Sequence, residues 1–477
     1  MYKNFDFFEW SEQEDSIPLK VVLTQDFERW RDELPTNKRN LIDHQNLSGE
    51  AGDVGFLFTN NGRLSVAILV VDPENTLQSW GPLSTKLKPG TYRLTSAKKL
   101  STGFWFESMR SFAFGCYHFD KFKAPNPRRN GIVKLIPPKT IPHKKLANVV
   151  SATFLVRDMV NMPANHMGPD KLEKTARIIA EEYGAEIRVV KGRDLLKENY
   201  PLIYAVGKAG EQSPRLVDMQ WGPEDGQKIT LVGKGVTFDT GGLNIKGDTG
   251  MLLMKKDMGG AAHVLGVARM IMDEGLDIRL RVLIPIVENA ISRNAFRPSD
   301  IICSRKGLTV EITNTDAEGR LILADALALA CEDDPEIIFD MATLTGAARV
   351  ALGADLPAFF ANDKDVARKV VACSHKEKDP LWFMPLHQPY RSYMKGSITD
   401  LVNSANTYFA GTITAALFLE EFIKPGIPWV HVDTYAFNHI DHPGRPKGGE
   451  AMGMRTIYRY ILETYTARQK KKQKTEL

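Results

Sequence analysis

Asn314-Thr315-Asp316-Ala317-Glu318-Gly319-Arg320-Leu321 is a short polar turn that carries two carboxylates and a guanidinium between two apolar segments. The run before it, Leu308 to Ile312, alternates like a strand. The run after it, Leu321 to Cys331, has helical periodicity. A polar junction from strand to helix is where an open α/β sheet places its ligands. It is also what an ordinary capped helix start looks like, because Asp and Glu suit a first helical turn. The octapeptide by itself leaves both readings open.

A second stretch separates them. Leu231-Val232-Gly233-Lys234-Gly235-Val236-Thr237-Phe238-Asp239-Thr240-Gly241-Gly242-Leu243-Asn244-Ile245-Lys246 is followed by Met254-Lys255-Lys256-Asp257-Met258-Gly259-Gly260. Ile229 to Val232 reads as a strand running into a glycine-rich loop, with Lys234, Asp239, Lys246 and Asp257 as loop-borne polar groups. Buried lysines and aspartates are costly unless paired or bound to metal. Glycines let the backbone turn tightly around them.

Around these stretches the pattern alternates. Helices are expected over Lys171–Tyr183, Arg193–Glu198, Ala261–Glu274, Thr412–Ile423 and Gly453–Tyr465. Strands are expected over Glu186–Val190, Ile229–Val232, Arg279–Val287, Ile337–Met341 and Trp429–Thr434. Such alternation predicts an α/β fold, a three-layer αβα sandwich with a largely parallel central sheet. A smaller α/β domain precedes it. There Val66–Val71, Thr91–Leu94 and Ser111–Phe114 read as strands, and Gln25–Leu34 as a helix on the spacing of Phe27, Trp30 and Leu34. Lys123–Lys145 is basic and holds Pro125, Pro127, Pro137, Pro138 and Pro142, with Gly131–Ile136 as a further strand. We place the boundaries at 1–145 for the N-terminal domain, 146–165 for a linking helix and turn, and 166–477 for the larger domain that carries both motif stretches. The linking helix, Leu146–Val160, stops at Asn161-Met162-Pro163, since proline disfavours helix at the residue before it.

The two glycine- and acid-rich stretches resemble the leucyl aminopeptidase (cytosol aminopeptidase) family of dinuclear metallo-exopeptidases. The octapeptide matches the family hallmark without a change. Lys234, Asp239, Lys246, Asp257, Asp316, Glu318 and Arg320 match it in identity, order and spacing. The likeness runs from about Ala152 to the last helix, and no motif is seen in the first block. The resemblance implies two divalent ions per subunit, manganese or zinc, with magnesium or cobalt as alternatives. It makes Asp239 and Glu318 bridging ligands, adds Asp316 at the first ion, and adds Lys234 and Asp257 at the second. It makes Lys246 and Arg320 the catalytic pair. Lys246 stabilises the oxyanion, and Arg320 holds a bicarbonate that acts as general base on a water shared by the two ions. The free α-amine of the substrate binds one ion, so cleavage is from the N-terminus. Met254, Thr343, Gly346 and Ala451 fall where the family lines its pocket for the first residue, and they suit leucine and other medium apolar side chains.

Two departures from the family pattern spare the ligands: Lys256 beside Asp257, and Thr240 after Asp239. No His-Glu-x-x-His occurs, so a helix-borne single-zinc protease is excluded. His439 and His442 look faintly like a metal pair, but Pro443 and Gly444 argue for a loop. His431 reads as a core or site-flanking residue. The family also implies short peptides as substrates and a homohexamer, two trimers stacked. Trp80, Phe104, Trp105 and Phe106 in the first block support assembly, because one small domain would struggle to bury them.

Composition is that expected of a soluble globular protein of two domains: 477 residues, 43% hydrophobic and 25% charged. No apolar run is long enough to span a membrane, and Met1–Asp15 is not a secretory signal. Cys116, Cys303, Cys331 and Cys373 are scattered and read as small buried apolar groups in a reducing, cytoplasmic setting. A net charge of +4 requires no nucleic acid. The basic run Arg468–Lys474 reads as a solvated tail. Two alternatives remain: a nucleic-acid-binding or other secondary role on the same fold, and a narrower dipeptidase or amidase such as a cysteinylglycine hydrolase.

Overall fold

A computed structural model of the chain describes residues 5–124 and 132–475, without the side chains of 467–475. The chain divides into two compact units, Met1–Phe154 with His439–Lys447, and Leu155–Asn438 with Gly448–Leu477. The division falls within the helix His143–Asn161, which covers the expected Leu146–Val160.

In the first unit, β1 (Ile17–Leu23), β2 (Val54–Phe58), β3 (Leu64–Val71), β4 (Gly90–Ser96) and β5 (Val133–Ile136) form a sheet in the order β2-β3-β1-β4-β5. Only the β2–β3 pair is antiparallel. β-Branched residues dominate its central strands, and Val22, Ile68 and Val70 pack with Phe27, Ile42 and Leu57. The helix expected over Gln25–Leu34 is a 3-10 turn, Thr24–Asp26, leading into the helix Phe27–Asp32. Gly131 lies outside the described residues.

Ser111–Phe114 is not a strand. It is the end of the helix Thr102–Gly115, whose N-cap Ser101 accepts a hydrogen bond from Phe104 N at 3.1 Å. Every residue from Ser108 to Phe114 is buried, and so short an apolar run carries no usable period. Trp80 is fully buried, and Phe104, Trp105 and Phe106 are half-buried. Trp105 meets Trp80 edge-on with centroids 6.3 Å apart. These aromatics are thus accommodated within one chain and carry no argument for assembly.

The second unit contributes β6 (Glu186–Lys191), β7 (Arg215–Trp221), β8 (Gln227–Gly233), β9 (Gly235–Asp239), β10 (Ile278–Asn289), β11 (Ile301–Cys303), β12 (Thr309–Glu311), β13 (Ile337–Ala342), β14 (Ala358–Ala361), β15 (Trp382–Phe383), β16 (Leu401–Val402) and β17 (Trp429–Asp433). The main sheet runs β15-β14-β17-β13-β8-β10-β7-β6, with β9 also on β10. Its centre, β17, β13, β8 and β10, is parallel. Strands buried on both faces read as continuous apolar runs. Val232, Leu283 and Ile338 share a core with Leu321, Ala324 and Leu327 of the helix Glu318–Glu332. Phe339, next along β13, points to the other face and meets Tyr460 of the helix Met454–Thr475 at 5.4 Å. Helices therefore cover both faces, which makes the three expected layers. That last helix includes 468–474, whose side chains lie outside the described residues. Cys331 and Cys373 are buried, but Cys303 on the short strand β11 is exposed.

Asp239 corrects one expectation. It is not in a loop but ends β9, which pairs with β10 through Gly235↔Ile286, Val236↔Val287 and Asp239↔Asn289. The glycines that suggest a loop allow a second strand to begin directly after Lys234. Only the pairing partner, far away in sequence, decides that.

Candidate metal centre

The seven polar residues singled out in the sequence come together at the carboxyl ends of the parallel strands, where an open α/β sheet binds ligands. Lys234 follows β8, and its backbone N–H donates to Met341 O of β13 at 3.1 Å. Asp239 ends β9. Asp257 lies in the 3-10 turn Met254–Met258. Glu318 is the first residue of the helix Glu318–Glu332, and Asp316 lies just before it. Two glycines make this approach possible. A Cβ on Gly319 would sit 2.5 Å from Lys234 Cε and 2.7 Å from its Nζ. Gly241 has φ +86°, and a Cβ there would meet Asn244 O at 2.4 Å.

Four carboxylates share the centre with two lysines. Lys234 Nζ lies 2.8 Å from Asp257 Oδ2 and 2.9 Å from Glu318 Oε1. Lys246 Nζ lies 2.8 Å from Asp239 Oδ2 and 2.5 Å from Asp316 Oδ1. Burial, then the neighbouring Asp239, pushes Glu318 up to about 8 and Asp316 up to about 6. Burial alone would also raise Asp257, but Lys234 and Lys256 outweigh it and hold Asp257 below the usual range. Burial would lower Lys234, and Asp257, Glu318 and Asp239 outweigh it and raise it. The same contest raises Lys246, with Asp239 as its strongest carboxylate. The two lysines are thus ammonium counter-ions here, too few for four acids.

The donor set fits divalent cations. Oxygens of Asp239, Asp316 and Glu318 lie within 4.8 Å of one another. Lys234 and Lys246 meet Asp257 Oδ2, Glu318 Oε1 and Asp316 Oδ1 at 2.5–2.9 Å, but the buried Glu318 Oε2 has no partner among the described residues. A buried carboxylate oxygen left this way is costly unless a cation satisfies it. Lys234 would have to lose its proton to act as a ligand, which a nearby dication favours.

Arg320 is buried. Its Nη1 donates to Asn403 O at 2.8 Å, and its Nε has no partner among the described residues. Burial lowers it to about 10. The two departures leave the acid cluster in place, although Lys256 adds a cation beside Asp257. Thr240 Oγ1 donates to Asn289 O at 2.8 Å and accepts from Gly242 N, as a serine hydroxyl also could. Lys256 is buried with its Nζ 4.5 Å from the Tyr435 ring centroid, and burial lowers it to about 8.

Of the expected pocket residues, Thr343 is tied to the centre: its Oγ1 donates to Asp257 Oδ1 at 2.8 Å, and its carbonyl accepts from Lys234 Nζ at 3.0 Å. Met254 is half-buried at the start of the Asp257 turn. Gly346 is exposed at the first position of the helix Gly346–Leu352. Ala451 is buried, and its N–H donates to Glu450 Oε1.

Three supporting residues escaped the sequence reading. Asn289 Nδ2 donates to Asp239 Oδ1 at 2.8 Å and to Thr315 O at 3.0 Å. Asn403 Oδ1 accepts from Thr313 N and Asn314 N, bracing the octapeptide. Asp433 accepts from Leu344 N, Thr345 N and Thr345 Oγ1, bracing the loop after β13. An acid or amide closing an apolar strand, as in Trp429–Asp433 or Ile278–Asn289, was the available signal. His431 is a fully buried core residue, its Nδ1 2.6 Å from Asp340 Oδ1. His442 and Arg445 close a tight turn through their backbones.

The chain as a whole resembles known proteins. The profile of the cytosol aminopeptidase family catalytic domain matches residues 154–458, and that of the M17 aminopeptidase N-terminal domain matches 17–136. A probable cytosol aminopeptidase of Rhodococcus jostii is 35% identical over 82% of this chain and 80% of its own length. One from Aquifex aeolicus is 38% identical over 73% of this chain and 72% of its own. The crystal structure of cytosol aminopeptidase from Coxiella burnetii superposes with a TM-score of 0.92 at 43% identity, covering 97% of this chain and all of that one. The bottromycin maturation enzyme BotP, solved in complex with Mn, superposes at 0.83 with 29% identity over 94% of this chain and 98% of its own. With its catalytic profile matched across the acid cluster and both units covered, the chain belongs to the cytosol aminopeptidase family.

Proposed function

We propose that this metal-dependent aminopeptidase releases leucine and other medium apolar residues from the N-termini of short peptides at a two-metal site. The observation that carries this reading is a set of four carboxylates, three of them buried, held by the ammonium groups of Lys234 and Lys246, with the buried Glu318 Oε2 left without a partner among the described residues. Asp239 and Glu318 would bridge the ions, with Asp316 at the first and Lys234 and Asp257 at the second. A pair of divalent ions, manganese or zinc in our reading, lowers the pKa of water toward neutrality and polarises a carbonyl. The Mn complex of the related BotP supports manganese as one candidate.

The remaining roles fall to the protein's own groups. Lys246 stays protonated beside Asp239 and Asp316 and presents an ammonium to charge developing on the carbonyl oxygen. Arg320, anchored by Asn403 with its Nε unpartnered, would hold a bicarbonate as the general base. Met254, Thr343, Gly346 and Ala451 would line the first-residue pocket, supported by the bonds between Thr343 and Asp257. We keep the division into 1–145, 146–165 and 166–477, supported by the two family profiles. A cytoplasmic location rests on the names of the relatives. No described helix is long and apolar enough to cross a membrane.

We also propose a homohexamer. Val350, Ile398, Tyr408 and Phe409 are each more than three-quarters exposed, as apolar residues meant for a partner copy would be. The central test is metal removal. Exhaustive chelation should abolish hydrolysis of a leucine amide, and manganese, zinc, cobalt or magnesium should restore it. Full activity in the chelated protein would end the two-metal reading.

A further inference from the structure

The first unit holds a cavity of about 210 Å3 that has no part in the metal centre. One water needs only roughly 10–15 Å3 of such space. Its position follows from strand register. β4 pairs with β1 as far as Val21↔Ser96, whereas β3 pairs with it as far as Leu23↔Val71. Val22 and Leu23 thus run on past the last β4 partner, and the sheet opens there at its carboxyl edge. β1 is the central strand; the chain goes from it to β3 on one side, then crosses to β4 on the other. Such a reversal leaves a crevice outside the strand ends, the place where open α/β sheets bind ligands.

Lys20, Val22, Leu23, Trp30, Asp26 and Lys98 all line this crevice. Its charges are unequal. Lys98 Nζ pairs with Asp26 Oδ2 at 2.6 Å, and Arg29 Nε pairs with Glu33 Oε1 at 3.0 Å, so those four cancel. Lys20 is half-buried and makes no ion pair among the described residues. Trp30 packs against the core of Val22 and Phe27 and also forms part of the wall. One uncompensated cation beside an indole and aliphatic side chains selects an anion with an apolar body.

We propose that this crevice binds a small monoanionic carboxylate, its charge on Lys20 and its apolar body against Trp30, Val22 and Leu23. The site is independent of the metal centre and of the peptidase reading. The test is calorimetric titration of the full, chelated chain with 4-methylpentanoate and with its neutral amide. The carboxylate should bind with one site per chain, and the amide at least about tenfold more weakly, since it cannot make a charge-assisted bond to Lys20. Lys20→Met should abolish carboxylate binding, Lys20→Arg should restore most of it, and Lys246→Ala should leave it unchanged. A fluorescence change on binding should disappear in Trp30→Phe. Equal binding of acid and amide, carboxylate binding untouched by Lys20→Met, or no binding at all would overturn the proposal.

Discussion

Lys246 is the residue at which metal binding and turnover should come apart. It pairs with Asp239 and Asp316 but is assigned to neither ion. Lys246→Ala removes a competing cation, so metal content should persist. Turnover should fall by about 10²–10³-fold if Lys246 acts as one oxyanion donor. Metal analysis with kcat on a leucine amide checks both; lost metal or unchanged kcat rejects the role. Gly319 offers a second test. A Cβ there would collide with Lys234 Cε and Nζ, and Lys234 is buried and paired with Asp257 and Glu318. Moving that ammonium off two buried carboxylates is destabilising. Gly319→Ala should therefore lower the melting temperature and weaken metal binding and activity. A variant with normal metal affinity would show that Lys234 can lie elsewhere.

The helix Glu318–Glu332 carries one carboxylate into the acid cluster and is anchored midway by Asp325. The Asp325 carboxylate accepts from Leu202 N at 2.8 Å, Ile203 N at 3.3 Å and Arg305 N at 2.9 Å. Burial nevertheless pushes it up to about 7. The folded state then keeps a proton that the unfolded chain has lost between about pH 4 and 7. Stability from this group therefore falls as pH rises across that window, by at most about 1.4 kcal/mol per pH unit. Asp325→Asn cannot ionise, so its denaturation midpoint should vary less with pH than the parent's over the same range. Parallel profiles would mean that Asp325 does not titrate there. Elements also show where sequence reading stops. The helix over 318–332 was legible over Leu321–Cys331 from its period. β9 was not, because its partner β10 is distant in sequence. Ser111–Phe114 failed as a strand because the run is buried all round and four residues carry no usable period.

For the whole molecule the testable claim is assembly. Light scattering should give roughly six times 53.4 kDa, and the enzyme should not cut folded proteins if its sites face an enclosed cavity. A chain truncated after Ala467 should assemble and work as the full one does, since a short lysine-rich segment buries no useful face. A monomer fully active on dipeptides would remove the hexamer and leave the chemistry intact.

The seven polar residues, their spacing and the alternation of apolar runs were determined by sequence alone, because ligand chemistry dictates residue types and periodicity dictates helix or strand. That Lys234 lies across Gly319, that Asn289 and Asn403 brace Asp239 and Arg320, and that Asp433 holds the loop of Thr343 were decided only in three dimensions. Each joins segments far apart in the chain. Hydrogen bonds of that kind leave no local period, and an isolated polar residue ending an apolar strand does not reveal its partner. The crevice in the first unit is the extreme case. It exists because β1 outruns β4, and register is a property of paired strands that neither strand carries by itself.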